Sequence, residues 1–467
     1  MLDLINSKKL ILTLVGITLF LLSGCNRIAD LPVGKGNTAK YLCSALFNSN
    51  LDFELVRDVF IAPAMQPLPL FWRIKVDYDE ELVTVGDIFF GTKIATATAI
   101  YRDGIGCTLL AGRTIDEVDA QEFEALEPPV LPEDQPWPRG LGGLHPGLIP
   151  GLNVIALDDA ITNAFIGPDS EDRNTTSMVV VYDGKLIAEQ YALGVTEDTP
   201  VIGWSMTKSI TSTLIGITQD HGLIDIEEPA PIAGWEGTEK EAILTKHLLH
   251  MASGLKFNED TSGLSELTQM LFLEPDQALY VASRPLINTP GAVFSYSTGQ
   301  ANLLAKIVQN TVGGSLQDAY DFYQTQLFHK IDIRSAFIEF DASGQFLGGT
   351  YGFMTPRDWA RLGQLYIQNG DWFGEQVVSA EWIDYALQPS LVAEDYGAQI
   401  WLNTDGVKLP LLPEDTYYFN GYHGQQVTII PSKKLVVVRT GVNLRASGSG
   451  YHEAYMIGIV ESLQGLE

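Results

Sequence analysis

The sequence predicts an α+β fold: an antiparallel sheet flanked by helices, carrying a mostly helical subdomain and preceded by a small N-terminal segment. Three observations lead there. Two β-rich runs, Met178–Tyr182 and Leu186–Tyr191, flank Asp183-Gly184, a dipeptide suited to a tight hairpin turn. Helical spacing then dominates to about Asp371. Strand pattern returns at Tyr396–Leu402, Val427–Ile430 and Leu435–Val442. Strands at both ends of a helical stretch imply a sheet whose first and last strands are neighbours, with the helices inserted between them.

In chain order, Lys8 and Lys9 precede an apolar run from Leu10 to Leu22 and then Leu22-Ser23-Gly24-Cys25. The run falls short of the ~20 apolar residues needed to span a bilayer, so residues 1–24 read as a signal peptide. LSGC resembles the bacterial lipoprotein box, which implies lipidation of Cys25; the alternative is a plain secretory signal with a chance cysteine. By the same resemblance, Asn26 after the cysteine implies the outer membrane, periplasmic side, in a Gram-negative cell. The expected product is exported and held to the membrane by its lipid anchor. Cys43 and Cys107 then remain, an even pair in an oxidising compartment, expected as a disulfide rather than two buried thiols.

Residues 25–127 form the N-terminal α+β segment, with helical spacing over Leu51–Ile61 and a strand over Lys93–Tyr101 that turns at Arg102-Asp103-Gly104. Residues 128–150 are rich in Pro and Gly and cannot hold a regular helix or central strand, which makes them a linker or wrapping segment. Residues 151–467 form the main domain, opening with helical spacing from Asn153 to Phe165. Acidic residues outnumber basic ones 58 to 29, a formal charge of -29 that argues against nucleic acid as a partner.

Chemistry concentrates at Gly203-Trp204-Ser205-Met206-Thr207-Lys208-Ser209, where Met206, Ile210, Leu214 and Ile217 give a helix ending near Gly222. Positions i and i+3 share a helix face, so Lys208 can bring its amine to the Ser205 hydroxyl. Burial lowers a lysine pKa toward neutrality and makes it a usable base. Ser-x-x-Lys alone is weak, expected by chance about twice in a chain of this size. Ser253-Gly254-Leu255-Lys256 is such a second copy, and its internal glycine marks a helix end, a structural role. His247 and His250 sit in an apolar helix without metal-site spacing and read as packing. Glu259-Asp260 reads as solvent-facing, and no metal or cofactor is called for.

Downstream lie Tyr296-Ser297-Thr298 and Gly421-Tyr422-His423-Gly424-Gln425. A Ser-Lys pair, a Tyr-Ser-x element and a glycine-containing strand motif, in that order, resemble the serine β-lactamase and penicillin-binding-protein superfamily. The class C-like branch, with its esterases and 6-aminohexanoate-dimer hydrolases, is the nearest, and Leu244–Leu255 and Gly349–Asp358 also match that branch. The resemblance implies a β-lactamase/transpeptidase-like fold from about Asn153 onward and a serine hydrolase acting on a small ester or amide. It makes Ser205 the acylated nucleophile, Lys208 its base partner and Tyr296 the proton shuttle. It places the oxyanion hole at the N–H groups of Ser205 and Gln425, with Tyr422, His423 and Gly424 lining the substrate site. Two departures matter. Thr298 stands where the family usually has asparagine, and Tyr422 stands where a lysine or histidine is usual. With no lysine there to grip a carboxylate, β-lactamase or DD-peptidase activity is the alternative rather than the first expectation. A catalytically silent envelope protein that keeps the fold for binding is another.

Overall fold

A computed structural model describes residues 30–65, 72–87, 96–145, 147, 149–167, 173–390, 392–443 and 449–466. The expected signal peptide and Cys25 lie outside these residues.

Residues 30–43 form a helix that continues into a π-helical turn, Ser44–Asn48. A second helical stretch runs through Phe53–Leu55, Val56–Ile61 and Ala62–Met65. Four antiparallel strands follow in sequential order: β1 (Trp72–Asp77), β2 (Leu82–Asp87), β3 (Ala97–Arg102) and β4 (Gly106–Leu109). Cys43 and Cys107 are joined in a disulfide, which ties the end of the first helix to β4. In the chain-entropy account, a loop of 64 residues closed this way stabilises the fold by about 4 kcal/mol.

This segment is built into the rest of the molecule through one buried carboxylate. Glu339, fully buried, accepts from Lys40 Nζ at 2.5 Å, Ser44 Oγ at 2.8 Å, Asn48 Nδ2 at 2.7 Å and the Cys107 N–H at 2.8 Å. A buried carboxyl group is tolerable only when its lone pairs are met in this way. The Pro/Gly-rich passage is a strap rather than a free linker. Trp137 is buried, and the Arg361 guanidinium donates to the carbonyls of Pro138 and Gly140 at 2.9 and 3.0 Å.

The main sheet is antiparallel throughout, in the order β12 (Trp401–Leu402), β13 (Tyr417–Gly421), β14 (Gln425–Ile430), β15 (Leu435–Gly441), β5 (Thr175–Tyr182) and β6 (Lys185–Tyr191). Its hairpin pairs β5 with β6 across Asp183 and Gly184, both in the left-handed region at φ 47° and 70°. That pair of conformations matches the twist of the strands it joins. A small sheet has β7 (Val201–Ile202), β9 (Gly352–Met354) and β8 (Phe337–Ile338) side by side. A separate hairpin joins β10 (Asp371–Trp372) to β11 (Glu375–Gln376). β15 pairs with β5, so first and last strands are neighbours as expected. The strand expected over Tyr396–Leu402 shrinks to its last two residues, because only Trp401 and Leu402 find ladder partners on β13.

The valine runs of β5 and β15 are explained by burial on both faces. Val179, Val181, Val436 and Val438 meet the helix Pro356–Ile367 and the main core, whereas Met178, Val180, Leu435 and Val437 meet the helices Val154–Phe165 and Ser449–Ser462. Between β7 and β8 the chain is helical, and Thr207–Asp220 packs directly against Thr298–Thr311. Those two helices bring the Ser-Lys and Tyr-Ser-Thr elements together.

Candidate active site

The approach to Ser205 is set by the backbone. Gly203 donates its N–H to Gly352 O at 2.8 Å, and a Cβ at Gly203 would lie 2.2 Å from the Trp359 ring. Only glycine fits there. Trp204 follows in the left-handed region at φ 47°, a conformation that costs a bulky residue of order 1–3 kcal/mol. Its ring is held in that position by Tyr41, stacked at 5.5 Å, by Tyr351 and, edge-on, by Tyr422. The strained residue delivers Ser205 at the head of the helix Thr207–Asp220, facing a cavity of about 500 Å³.

Lys208 is buried one turn on, with Nζ 2.9 Å from Ser205 Oγ, 3.0 Å from Thr298 Oγ1 and 2.8 Å from Gly349 O. Burial lowers its pKa to about 8, with the Glu259 carboxylate pulling the other way. Lys208 Nζ lies over the Tyr296 ring, 5.0 Å from its centroid, and Tyr296 lines the same cavity as Ser205. The ring stacks on Trp401 at 5.6 Å. Burial, then Glu259, raises the phenol pKa, so the group is a neutral donor near neutral pH.

Glu259 corrects the sequence reading. Asp260 is exposed as expected, but Glu259 turns into the cavity wall. It accepts from the Thr298 N–H at 2.9 Å and from the Thr298 hydroxyl. Burial raises its pKa, opposed by Lys208 and by the bonds from Thr298. These bonds fix the direction of the network. With Glu259 ionised, its carboxylate only accepts, so the Thr298 hydroxyl donates to it and accepts from Lys208. Gly349 O also only accepts. A neutral Lys208 amine therefore spends both of its hydrogens on Thr298 and Gly349, and its lone pair is left facing the Ser205 hydroxyl. Such an amine can take the serine proton as the oxygen attacks a carbonyl.

Tyr422, His423 and Gly424 form the turn between β13 and β14 and line the same cavity. His423 is buried at φ 63°, and neither ring nitrogen has a hydrogen-bond partner among the described residues. Burial, then Arg439, lowers its pKa to about 3, so the ring is neutral. Trp204 Nε1 and Thr350 Oγ1 in the same wall are likewise unpartnered among the described residues. Gln425 departs from expectation. Its N–H donates to Tyr422 O across the turn, and its side chain clasps Gly441 through both amide atoms. That N–H is occupied and is not free to meet an oxyanion. The Tyr422 N–H lies beyond the last ladder pair, Gly421↔Gln425, and next to the point where Gly421 abuts the Gly203 carbonyl.

The remaining candidates take structural roles. Ser253 is buried beside Gly254 at φ 79°, whereas Lys256 is exposed and pairs with Glu266 at 3.1 Å. His247 Nδ1 accepts from the Leu244 N–H at 3.1 Å, and His250 Nε2 meets Tyr385 Oη at 2.9 Å.

A model of the Beta-lactamase family matches residues 162–441. The 6-aminohexanoate-dimer hydrolase of Paenarthrobacter ureafaciens is 25% identical over an alignment of 321 residues, and the match covers 62% of this chain and 78% of that protein. Among solved structures, a Bacillus anthracis homologue of 6-aminohexanoate-dimer hydrolases superposes with a TM-score of 0.56 at 22% identity, covering 73% of this chain and 88% of its own. A family VIII carboxylesterase gives 0.53 at 14% identity, over 69% and 99% of the two chains.

Proposed function

The chain belongs to the beta-lactamase family, and from that premise we propose that it is a serine hydrolase that cleaves an ester or amide through an acyl-enzyme on Ser205. The observation that carries this reading is the Lys208 amine, buried, lowered in pKa to about 8 and hydrogen-bonded to Ser205 Oγ at 2.9 Å. Neutral Lys208 takes the Ser205 proton as Oγ forms its bond to the substrate carbonyl carbon. The developing oxyanion is received by the N–H groups of Ser205 and Tyr422, each worth roughly 2.7–4 kcal/mol in the transition state. Tyr296, a neutral phenol, gives its proton to the leaving oxygen or nitrogen as that bond breaks, and Lys208 returns a proton to Tyr296. Water then attacks the acyl-enzyme by the same steps in reverse, restoring Ser205.

The hydrolase relatives support the reaction class, and the amide and ester acting relatives support both kinds of substrate. A carboxylate-bearing β-lactam is less well served, because no lysine or arginine lines the cavity among the described residues. Labelling with a fluorophosphonate probe tests the nucleophile: the wild type is expected to label and Ser205→Ala not to. Equal labelling of the two removes Ser205 from the reaction. We also infer that the enzyme works outside the cytoplasm on a lipid anchor, a reading supported by the Lys8–Cys25 leader and by the disulfide. Metabolic labelling with a fatty-acid analogue that persists in Cys25→Ala refutes the anchor.

A further inference from the structure

We propose that the N-terminal helix, residues 30–43, builds an apolar chain-binding subsite beside Ser205, and that the substrate is an uncharged ester with a medium-length hydrocarbon chain. The inference rests on the Ser205 reading and deepens it. The N-terminal segment lies outside the residues matched by the family model, yet it forms one wall of the cavity through Val33, Tyr41, Phe60 and Ile61. Leu271 and Phe272 stand with it in the lining, and Gly36 packs so closely that a Cβ there would lie 2.8 Å from Phe272.

Apolar side chains make up much of the cavity wall, with Asp30 and Asn37 of the N-terminal helix among its polar ones. At the serine end are the unpartnered groups of Trp204, Thr350 and His423, which leave buried polar atoms for a substrate or water to meet. A run of rings leads away from them: Trp204 stacks on Tyr41 at 5.5 Å, and Tyr41 meets Phe60 at 6.5 Å. A substrate with one polar, ester-bearing end and one hydrocarbon end matches this order. The volume of about 500 Å³ lies within the ~300–1,000 Å³ of pockets that bury small molecules. Asp30 and Glu259 are the charged residues lining it among the described residues, so a chain ending in a carboxylate meets repulsion.

The test is a chain-length series of p-nitrophenyl esters from acetate to octanoate, with mono-p-nitrophenyl suberate as the anionic counterpart of the longest. kcat/KM is expected to rise about fourfold per methylene until the cavity is filled. The suberate is expected to react at least tenfold more slowly than the octanoate. Val33→Trp and, independently, Leu271→Trp fill the wall and should lower the octanoate-to-acetate ratio at least tenfold. A flat series, acetate as the best substrate, or suberate matching octanoate overturns the subsite. Binding of the neutral fluorophore N-phenyl-1-naphthylamine separates this inference from the one beneath it. Binding by wild type and Ser205→Ala alike, lost in Val33→Trp, supports the subsite even where no ester is turned over, and in that case the nucleophile is what fails. Absence of binding by the wild type overturns the subsite.

Discussion

Replacing Glu259 by glutamine removes one negative charge beside Lys208 and nearly keeps the shape of the side chain. The carboxylate lies one hydroxyl beyond the amine, with Lys208 Nζ 3.0 Å from Thr298 Oγ1. The charges are thus roughly 5 Å apart, worth about 3 kcal/mol at an effective dielectric constant of ~20, or about 2 pKa units. In the folded protein Glu259 raises the Lys208 pKa against burial, so its loss lowers that pKa further from about 8. The base must be neutral to act. The acid limb of the kcat/KM profile should therefore move to lower pH by about 1–3 units. The upper plateau should fall as well. The amide oxygen must take the Thr298 N–H, which turns the amide nitrogen toward the Thr298 hydroxyl and that hydroxyl's proton toward the Lys208 lone pair. Up to the ~10²–10⁴-fold contributed by general-base catalysis is then at risk. The assay is kcat/KM against pH from 5 to 10 on one neutral ester for both proteins. An acid limb that stays in place, with a plateau within twofold of wild type, refutes the network. So does a wild-type profile that is flat from pH 5 to 9.

Tyr296→Phe removes the proton donor while keeping the stack on Trp401, and kcat should drop by about 10²–10⁴-fold, with a smaller loss on esters whose leaving group needs no proton, such as p-nitrophenol. Lys208→Met should abolish turnover yet stabilise the fold near neutral pH. The lysine pKa is about 8 folded and 10.5 as its ordinary value, so the unfolded chain binds the proton more tightly. The penalty, roughly 3 kcal/mol, is fully present below pH 8 and vanishes as pH rises through 10.5. Loss of the partner of Gly349 O gives back about 1–3 kcal/mol, so the stability gain over wild type in urea should shrink from pH 7 to pH 10. A gain that is constant with pH contradicts a buried, titrating amine. Glu339→Ala strands Lys40 in the core and should cost about 3–5 kcal/mol by urea denaturation. A loss below 1 kcal/mol would mean that the N-terminal segment is not anchored there.

The sheet and the contact between Ser205 and Lys208 were readable because their information is local. Asp183-Gly184 specifies a turn by its own conformational preferences, and Ser205 and Lys208 are brought together by one helical turn. Tyr296 was readable from its order along the chain. Glu259 was not, since two adjacent loop residues point opposite ways and only the packing of the loop on Thr298 decides which is buried. Gln425 misled for a related reason. The motif gives a position, but the hydrogen bond that occupies its N–H belongs to the three-residue hairpin turn. The pocket wall from residues 30–61 was hidden because its contacts join positions far apart in sequence, such as Lys40 and Glu339, and helical spacing does not tell what the helix will face.

At the other end of the molecule, Gly151 and Gly465 meet so closely that a Cβ on Gly151 would lie 2.2 Å from the Gly465 carbonyl, and Asn153 donates to Ser462 O at 3.0 Å. The two ends of the stretch 151–466 thus lie side by side. Topologically that portion is a closed ring: a short bridge between residues 151 and 466, with a new opening in an exposed turn, preserves every strand pairing of the main sheet. Such a unit can be carried as an insert in another chain, and what is appended at its entrance can be changed without re-threading it. The N-terminal segment supplies a wall of the pocket from just such a position.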